Sequence, residues 1–574
     1  MQQWARFAIL GAMFVTAYLL ILAWQKDYGG AQAETAQQAV AVQQSANTST
    51  DIPSAQAQAA SATDIPQANT AQADTPVAST ANSQQLVTVA MDMYNVWIDP
   101  KGGDIVRLEL LSHDKSKDSD QPFVMLHNDK NIYVAQSGLI GADGPDSRSR
   151  PMYEVNKNSY SIDEAQSTVT KDDTAHKVLE VPMVYKTADG VEIFKIFKFT
   201  SGEYPIQVTH RIVNRSAGNW QGQMFGQLKR DDAPDPGKSD QGIFTLGTFL
   251  GGAWGTPEEH YNKLKFDNFN EEKLNLQAKE AWVAIVQHYF VSAWVPDKSY
   301  TAQLESRNSD NVHIIGFRSP LVNVPAGKQY DISATLYSGP KIQSELKELA
   351  TGLNQTVDYG WLWPIAKLLF WGLEFFHNIV GNWGWAIVLL TILVKLILWP
   401  LSAKSYRSMA KMRVIAPEMQ RMKEEFGDDR MRFSQEMMAL YKREQVNPLS
   451  GCLPLLMQMP IFLALYWVLM ESVELRHAPW MLWIQDLSAM DPWFILPLIM
   501  GATMYFQQML NPQPTDPMQA KVFRLMPIIF TVFLLFFPAG LVVYWIVNNL
   551  ITIAQQWFIN KSAEKQGLST TTAK

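Results

Sequence analysis

Residues 383–399 read WGWAIVLLTILVKLILW, an apolar run in which Lys395 is the only charged residue. A run of this length and composition predicts a helix that spans a membrane. A charge inside such a span costs about 2.5–3.5 kcal/mol and usually marks a functional position. Because Lys395 lies close to Pro400, its stem could also carry the ammonium to the membrane surface. Thr391, one helical turn earlier, makes the same face polar and favours the functional interpretation.

Further apolar runs follow and complete a predicted core of five membrane-spanning helices over residues 382–560. Their predicted bounds are Leu449–Met470, Trp493–Leu510, Phe523–Phe537 and Leu541–Ile559. Near the N-terminus, the apolar stretch 7–24 predicts a sixth span. Its flank, Gln25-Lys26-Asp27-Tyr28, is a poor cleavage site, which favours an uncleaved transmembrane signal anchor over residues 1–28. The small residues that follow leave a cleaved signal peptide as the alternative.

The placement of lysine and arginine predicts the topology. The stretch 401–447 holds ten of them and is expected in the cytoplasm. The loop 471–492 holds Arg476 against four acidic residues and is expected outside. With six spans, the N-terminus, the loop around Asp516 and the tail 561–574 are then cytoplasmic.

The region between the anchor and the core falls into three parts. Residues 29–85 are rich in Ala, Gln, Ser and Thr, contain no aromatic residue, and are predicted to be a disordered tether. Residues 86–345 alternate short β-rich runs with turns, which predicts a large twisted β-sandwich in the periplasm. The run Trp282–Val295, apolar on both faces, is typical of one central strand. Residues 346–381 are predicted to hold an amphipathic helix in the membrane interface.

Residues of the β-region show the alternation that a half-buried strand requires. Ile206, Val208 and Ile212 point to one face, and the residues between them are polar. The predicted fold class is therefore a multi-domain membrane protein: an α-helical core with six spans in total, five of them in the core, plus a periplasmic all-β sandwich. His210 and His288 in this region are interpreted as structural rather than catalytic.

Polar residues recur inside the predicted spans. Asn548, Thr552 and Gln555 follow one another at i, i+4 and i+7 and form one polar stripe. Others are Gln458, Thr503, Gln507, Gln508 and Gln556. Taken singly, such residues serve as hydrogen-bonding groups between helices as often as they serve function. Together with an unpaired lysine, they predict a hydrated cavity.

The cytoplasmic stretch 401–447 is predicted to be a helical hairpin with two apolar faces. The first face holds Met412, Ile415, Met419, Met422 and Phe426, and the second holds Phe433, Met437, Leu440 and Tyr441. These residues would pack the hairpin against itself, or they would offer an adaptable surface to apolar guest segments. The second interpretation makes Met412, Met419, Met422 and Met437 the candidate contacts for a guest or a ribosome.

Composition and motifs exclude several functions. The net charge of −7 argues against recognition of nucleic acid. Cys452 is the single cysteine, so no intrachain disulfide can form, and it is interpreted as a small buried apolar residue. The sequence contains no metal-ligand spacing, P-loop, GxSxG or HExxH motif. We therefore expect neither an enzyme nor a metal or other cofactor.

Several motifs occur in an order that is characteristic of one family. They are the segment 382–395, QEMMALYK at 435–442, VNPLSGCLP at 446–454, QMPIF at 458–462 and FPAGL at 537–541. In these motifs the chain resembles the YidC/Oxa/Alb family of membrane protein insertases, and in its order of anchor, tether, β-domain and core it resembles the Gram-negative branch.

The resemblance implies a five-helix core around a hydrophilic groove that is open to the cytoplasm and to lipid. The groove residues would be Lys395, Thr391, Gln458, Thr503, Gln507, Asn548, Thr552 and Gln555. The family usually carries arginine where this chain carries Lys395, so the charge is kept but the planar fork that binds carboxylates in bidentate fashion is lost.

The resemblance also implies a function in the bacterial inner membrane. Such a protein inserts and folds newly made inner-membrane proteins, alone or with the Sec translocon. Its partners would be nascent proteins, the Sec translocon, the ribosome, the signal recognition particle receptor and the lipid bilayer. The alternatives are a polytopic proton-coupled transporter, a membrane-anchored carbohydrate-binding protein, and a structural assembly factor for the translocon.

Overall fold

The computed structural model describes residues 86–565 except 118, 166, 172, 237–247, 270, 310, 427–428, 445, 447–452 and 512–516. The predicted anchor (1–28), the predicted tether (29–85), most of the tail (561–574) and Cys452 lie outside the described residues. The described chain folds as two compact units, one ending at Val357 and the other beginning at Asp358.

The first unit contains two β-sheets. The 11-stranded sheet has, in spatial order, β15 (Asn275–Lys279), β18 (Thr301–Ser309), β19 (Val312–Arg318), β12 (Trp220–Asp231), β5 (Ile132–Ile140), β4 (Pro122–Asn128), β3 (Asp104–Asp114), β2 (Tyr94–Asp99), β1 (Val87–Ala90) and β7 (Ser159–Ser161), with β20 (Val322–Val324) on β12. The 10-stranded sheet has β14 (Asn262–Lys265), β13 (Gly251–Gly255), β16 (Trp282–Val286), β17 (Phe290–Pro296), β21 (Gln329–Pro340), β11 (Ile206–Asn214), β10 (Val191–Thr200), β9 (Thr174–Lys186) and β6 (Glu154–Val155), with β8 (Ser167–Lys171) on β9.

The two sheets pack face to face, as the sequence predicted for this region. Phe123 of one sheet stacks on Phe290 of the other with ring centroids 4.1 Å apart. The indole nitrogen of Trp294 donates a hydrogen bond across the layers to the carbonyl of Gln227 at 3.1 Å. In β11 the side chains of Ile206, Val208 and Ile212 are fully buried and alternate with half-buried polar residues. The β-sandwich is therefore confirmed.

One expectation about this sandwich was wrong. Trp282–Val295 is not a single strand but a hairpin of β16 and β17, whose residues pair antiparallel. The chain reverses at Gln287–Tyr289, where the carboxylate of Asp235 accepts a hydrogen bond from the amide of His288 at 2.6 Å. The turn itself is buried, so no exposed polar residue interrupts the apolar run, and periodicity alone cannot reveal the reversal.

The β-unit continues past the last strand. Helix α1 (Gln343–Leu349) and a 3-10 turn at Leu353–Thr356 follow β21. The ammonium of Lys341 donates to the carbonyl of Thr356 at 3.1 Å, and the indole of Trp282 donates to the carbonyl of Thr351 at 2.9 Å. These bonds tie the segment 341–357 to the sandwich.

The second unit is helical. Its helices are α2 (Trp363–Val380), α3 (Trp383–Ile397), α4 (Trp399–Phe426), α5 (Arg430–Arg443), α6 (Leu453–Glu471), α7 (Ile495–Met509), α8 (Pro517–Leu534) and α9 (Ala539–Lys565). Helix α9 lies at the centre and packs against α3, α4, α6 and α7. Helix α2 packs against α3 and α6, and its outward face carries large apolar side chains, among them Trp371 and Ile379.

Length and hydropathy single out one bent pair of helices in the described chain. Among the described residues, no single helix is both long and apolar enough to cross a membrane. Helices α3 and α4 meet that criterion together, and they are bent by 66° at the break between Ile397 and Trp399. The six spans stay a prediction.

Candidate functional site

Lys395 is buried in the helical unit and is held by a neutral partner. Its side chain is 7% exposed, and its ammonium donates to the hydroxyl of Thr552 on α9 at 2.9 Å. The Thr552 hydroxyl in turn donates to the carbonyl of Asn548 at 2.8 Å. No carboxylate of a described residue forms an ion pair with Lys395. An ammonium carries three N–H donors, so this lysine retains donors for a further acceptor.

The polar stripe on α9 is buried against its neighbours. Asn548 is 7% exposed, and Thr552 and Gln555 are each 1% exposed. Within the described chain, the side-chain oxygen of Asn548 and both amide atoms of Gln555 have no hydrogen-bond partner. Buried polar groups are usually paired with protein or with ordered water, so these atoms are open to hydration.

A second face of α9 carries further polar residues towards α7. The side-chain amide of Asn549 donates to the Thr503 hydroxyl at 3.1 Å. The Thr503 hydroxyl donates to the carbonyl of Met500 at 2.7 Å. We call Lys395, Thr503, Asn548, Asn549, Thr552 and Gln555 the polar cluster. It gathers residues of three helices, α3, α7 and α9.

The other predicted groove residues lie near this cluster or have local partners. The amide of Gln458 on α6 donates to the hydroxyl of Tyr544, which is one turn before Asn548 on α9. Gln507 on α7 is half-buried. Thr391 is buried, but its hydroxyl donates to the carbonyl of Ile387 in its own helix at 2.7 Å. Thr391 thus shares the face of Lys395 while its hydroxyl is already bonded.

Sequence reasoning missed Asn549 and Tyr544. Asn549 is adjacent to Asn548, and neighbouring residues on a helix point about 100° apart, so it cannot lie on the same stripe. The signal was present in the pair Asn548-Asn549 itself, because two consecutive amides in an apolar helix make two of its faces polar.

The methionines of the hairpin lie between its two helices. Ile415, Met419, Leu440 and Val446 form a buried cluster, and Met412, Met422, Met437 and Tyr441 pack against it. Arg443 on α5 forms an ion pair with Glu418 on α4 at 2.5 Å. The methionines that face outward are Met431 and Met438, which are 74% and 59% exposed. The assignment of the inward methionines as guest contacts stays a prediction.

The β-unit contains a buried charged group of its own. Arg150 forms ion pairs with Asp104 and Asp146, and the ammonium of Lys195 donates to the carbonyls of Gly102 and Ser137 at 2.9 and 2.8 Å. Burial raises the pKa of Asp146 and lowers the pKa of Lys195. Asp104 and Lys195 come from opposite sheets, so the group fastens the sandwich together.

His210 lies directly opposite Lys195 in the sheet. Its ring is fully buried, and burial lowers its pKa well below the usual value, so it remains neutral. Among the described residues there is no group of three His, Cys, Asp or Glu side chains arranged to hold a metal ion.

The fold and the polar cluster define a class: a two-unit protein that joins a β-sandwich to a bundle of apolar helices with a buried basic residue. Residues 86–372 match the family model described as the YidC periplasmic domain, and residues 375–566 match the 60Kd inner membrane protein model. The chain belongs to the YidC family of membrane protein insertases. This family is one of bacterial inner-membrane proteins with a periplasmic domain, and it is a class of insertases rather than of enzymes.

Relatives match over nearly the whole chain. The membrane protein insertase YidC of Pseudomonas entomophila is 48% identical and covers 97% of this chain and 98% of its own. That of Stutzerimonas stutzeri is 49% identical over the same shares. That of Marinobacter nauticus is 45% identical, covering 98% of each chain. The family resemblance predicted from the motifs is therefore confirmed.

Solved structures are similar only at a low level. A crystal structure of an active YidC insertase with its first transmembrane domain resolved has a TM-score of 0.38 and 19% identity, and covers 82% of this chain and 92% of its own. A galactose mutarotase related enzyme from Lactobacillus acidophilus has a TM-score of 0.29 and 11% identity, and covers 44% of this chain and 97% of its own. Similarities this low establish nothing about function.

Proposed function

We propose that this protein inserts and folds newly made inner-membrane proteins through a hydrophilic groove built on the polar cluster. Its six spans place the N-terminus, the hairpin 401–447 and the tail 561–574 in the cytoplasm, and the β-unit in the periplasm. The distribution of lysine and arginine supports this topology. The groove is open to the cytoplasm and to lipid.

The physical problem is the polar tail of a guest protein. Moving such a tail through hydrocarbon leaves its polar groups without partners, at a cost of several kcal/mol each. A hydrated groove that reaches partway into the bilayer shortens the dry path. Lys395 attracts acidic groups of the tail into the groove. The membrane potential, negative inside, then favours their outward movement by about 2.3 kcal/mol per charge for each 100 mV.

One observation carries this proposal: a buried ammonium whose hydrogen-bond partner is a neutral hydroxyl. A lysine that only stabilised the bundle would be expected to meet a carboxylate or several carbonyls, as Lys195 does in the β-unit. Lys395 instead bonds Thr552, which lies on α9 between Asn548 and Gln555, whose side-chain oxygen and amide have no partner in the described chain. Both side chains can form hydrogen bonds with the backbone of a guest as it moves through the groove.

The apolar part of the guest then leaves sideways into lipid. We propose that it passes between the Trp383–Trp399 and Phe523–Phe537 sides of the core. The outward surface of α8 supports this route, since it carries exposed Leu525, Ile528 and Val532. Burial of the guest's apolar segment in lipid supplies the net driving force. No nucleotide is required.

We further propose that the Sec translocon, the ribosome and the signal recognition particle receptor are partners. The exposed cations of the hairpin, among them Lys404, Arg407 and Lys411, and its outward Met431 and Met438 offer them a surface. Chaperoning of guests follows from the same groove, because it shelters polar segments until the helices of the guest have packed.

The test is insertion of a short, acidic-tailed, single-span guest into vesicles, scored by protease protection. Wild type is compared with Lys395→Arg, Lys395→Ala and Lys395→Glu. Lys367→Ala, which removes an exposed lysine of α2, is the matched control. We expect arginine to support insertion, alanine and glutamate to reduce it at least tenfold, and the control to behave as wild type. Equal insertion by all variants would show that Lys395 only reaches to the membrane surface.

A further inference from the structure

The segment between α6 and α7 contains a compact loop, residues 478–494, with an apolar tip. The amide of Leu487 donates to the carbonyl of Ala478, and the amide of Trp480 donates to the carbonyl of Ile484, each at 3.0 Å. These bonds bring the two arms of the loop together. Met481 and Leu482 form the tip and are 40% and 71% exposed.

Leu482 is held outward in a backbone conformation that leucine rarely adopts. Its φ is +56°, in the left-handed region that favours glycine or asparagine. The side-chain amide of Gln485 donates to the Leu482 carbonyl at 2.9 Å, and the amide of Ile484 donates to the Met481 carbonyl at 3.1 Å. In water, this loop would expose a large apolar side chain and also keep its backbone in a strained conformation. Both are unfavourable, so the conformation is better explained if the side chain contacts an apolar environment.

The charges of the loop are turned away from this tip. Asp486 and Asp491 are its only charged residues, and both side chains are buried. Asp486 accepts from the amide of Ser488 at 2.8 Å. Asp491 accepts from the indole of Trp483 at 2.9 Å and from the amide of Leu496 at 2.7 Å. The outward surface is consequently uncharged.

Aromatic side chains lie along both arms of the loop. Trp493 is 64% exposed and stacks on Trp483 with ring centroids 5.7 Å apart, and Phe494 is 41% exposed. Trp480 meets Trp385 edge to face at 5.7 Å, and Trp385 is itself 46% exposed. Tryptophan is the residue most typical of the boundary between lipid headgroups and acyl chains.

The loop is fixed firmly to the helices on either side. The side-chain amide of Asn382, which caps α3, donates to the carbonyl of Pro479 at 3.0 Å. Trp480 lies so close to Gly384 that a Cβ there would come within 2.1 Å of the indole. The amide of Gly540 in α9 donates to the carbonyl of Leu487 at 2.9 Å. The position of the tip relative to α3 and α9 is thus set by the fold.

We propose that the 478–494 loop is a membrane anchor, which inserts Met481 and Leu482 into the lipid boundary of the outer leaflet. The bilayer is the occupant that fits, because the surface is aromatic, uncharged and continuous with exposed apolar residues of α3 and α7, such as Trp385 and Leu498. The inference rests on the membrane placement proposed above. It assigns this loop to the lipid interface rather than to the periplasmic water.

The test uses one spin label on the full chain, after Cys452→Ser removes the single native cysteine. The label is placed at Leu482→Cys in vesicles of phosphatidylethanolamine and phosphatidylglycerol. Its collision rates with oxygen, which enters lipid, and with a water-soluble nickel chelate are compared. Lys328→Cys, exposed in the β-unit, gives the value for water, and Ile528→Cys, exposed on α8, gives the value for lipid. Met481→Cys provides a second reading if Leu482→Cys fails to fold.

We expect the oxygen-to-nickel collision ratio at residue 482 to be severalfold above that at residue 328 and to approach that at residue 528. A ratio equal to that at 328 would place the loop in water and overturn the proposal. Low collision rates with both reagents would mean that protein covers the tip, which also overturns it. If residue 528 itself reads as water, it is the membrane placement of the core that fails, so the two proposals are tested separately.

Discussion

Thr552 and Thr391 are two buried threonines close to Lys395, and their hydroxyls form different hydrogen bonds. The Thr552 hydroxyl accepts a hydrogen bond from the lysine ammonium and donates one to the backbone of its own helix. The Thr391 hydroxyl donates only to the backbone of its own helix. The two residues are equally buried, at 1% exposure, so they form a matched pair in which one hydroxyl orients the charge and the other does not.

We predict that Thr552→Val reduces guest insertion roughly tenfold, while Thr391→Val leaves it nearly unchanged. Valine keeps the shape of threonine but removes the acceptor, and a hydrogen bond to a charged group contributes about 1.5–3 kcal/mol. The measurement is the protease-protected fraction of an acidic-tailed guest at equal protein levels. Equal loss in both variants would mean that packing at these positions matters rather than the bond to Lys395.

Single residues show how far sequence reasoning reaches. Lys395 and the stripe Asn548, Thr552 and Gln555 stand out in the sequence, because a charge or a repeated polar residue in an apolar run is conspicuous in one helix. Their role in a groove stays a prediction. The sequence could not show their mutual contact, since the bond from Lys395 to Thr552 joins residues 157 positions apart. Asn549 was missed because it does not continue the i, i+4, i+7 stripe, and its partner, Thr503, is on a third helix.

The hairpin of α4 and α5 shows which features of a whole element can be predicted from sequence. Its apolar spacing predicted two faces, and the structure brings these faces together around Met419 and Leu440. The spacing identified the four methionines that lie between the helices, but it could not show whether the two faces pack against each other, because a face becomes a core only when its partner helix is placed. Similarly, the run Trp282–Val295 could not be divided into β16 and β17, because the turn between them is as buried as the strands.

For this hairpin we predict that Met419→Ala lowers its stability by about 2–5 kcal/mol, because it leaves a cavity in the buried cluster. Met419→Leu, which keeps the volume, should cost less than about 1.5 kcal/mol. Met438→Ala, at an exposed position, should stay within about 0.5 kcal/mol. Hydrogen exchange of the α4 and α5 amides reports these changes. Unchanged protection in Met419→Ala would contradict self-packing and favour a surface reserved for guests.

At the scale of the whole molecule, the described chain consists of two units with separate cores. The sequence placed the end of the β-region at residue 345, from the point where strand patterning stops. The sandwich in fact holds the chain to Val357, because Leu346 and Leu353 are fully buried in the β-unit. Strand periodicity cannot detect such a segment, since it packs as a helix and a 3-10 turn.

This boundary matters for the experiment that separates an insertase from a membrane-anchored carbohydrate-binding protein. Deleting residues 86–357 removes the whole β-unit and joins the tether to Asp358. We expect this variant to insert a single-span guest within about twofold of wild type, because the polar cluster lies entirely in the helical unit. The comparison variant, which lacks 86–340, leaves Leu346 and Leu353 without the sandwich that covers them.

The shorter deletion should therefore accumulate poorly in the membrane, since exposing apolar surface of this kind favours aggregation and degradation. Measuring both the membrane level of each variant and its insertion per molecule keeps the two effects apart. The 86–357 deletion could accumulate normally and yet fail to insert the guest. In that case the β-unit takes a direct part in insertion, and a groove confined to the helical unit is not sufficient for the proposed function.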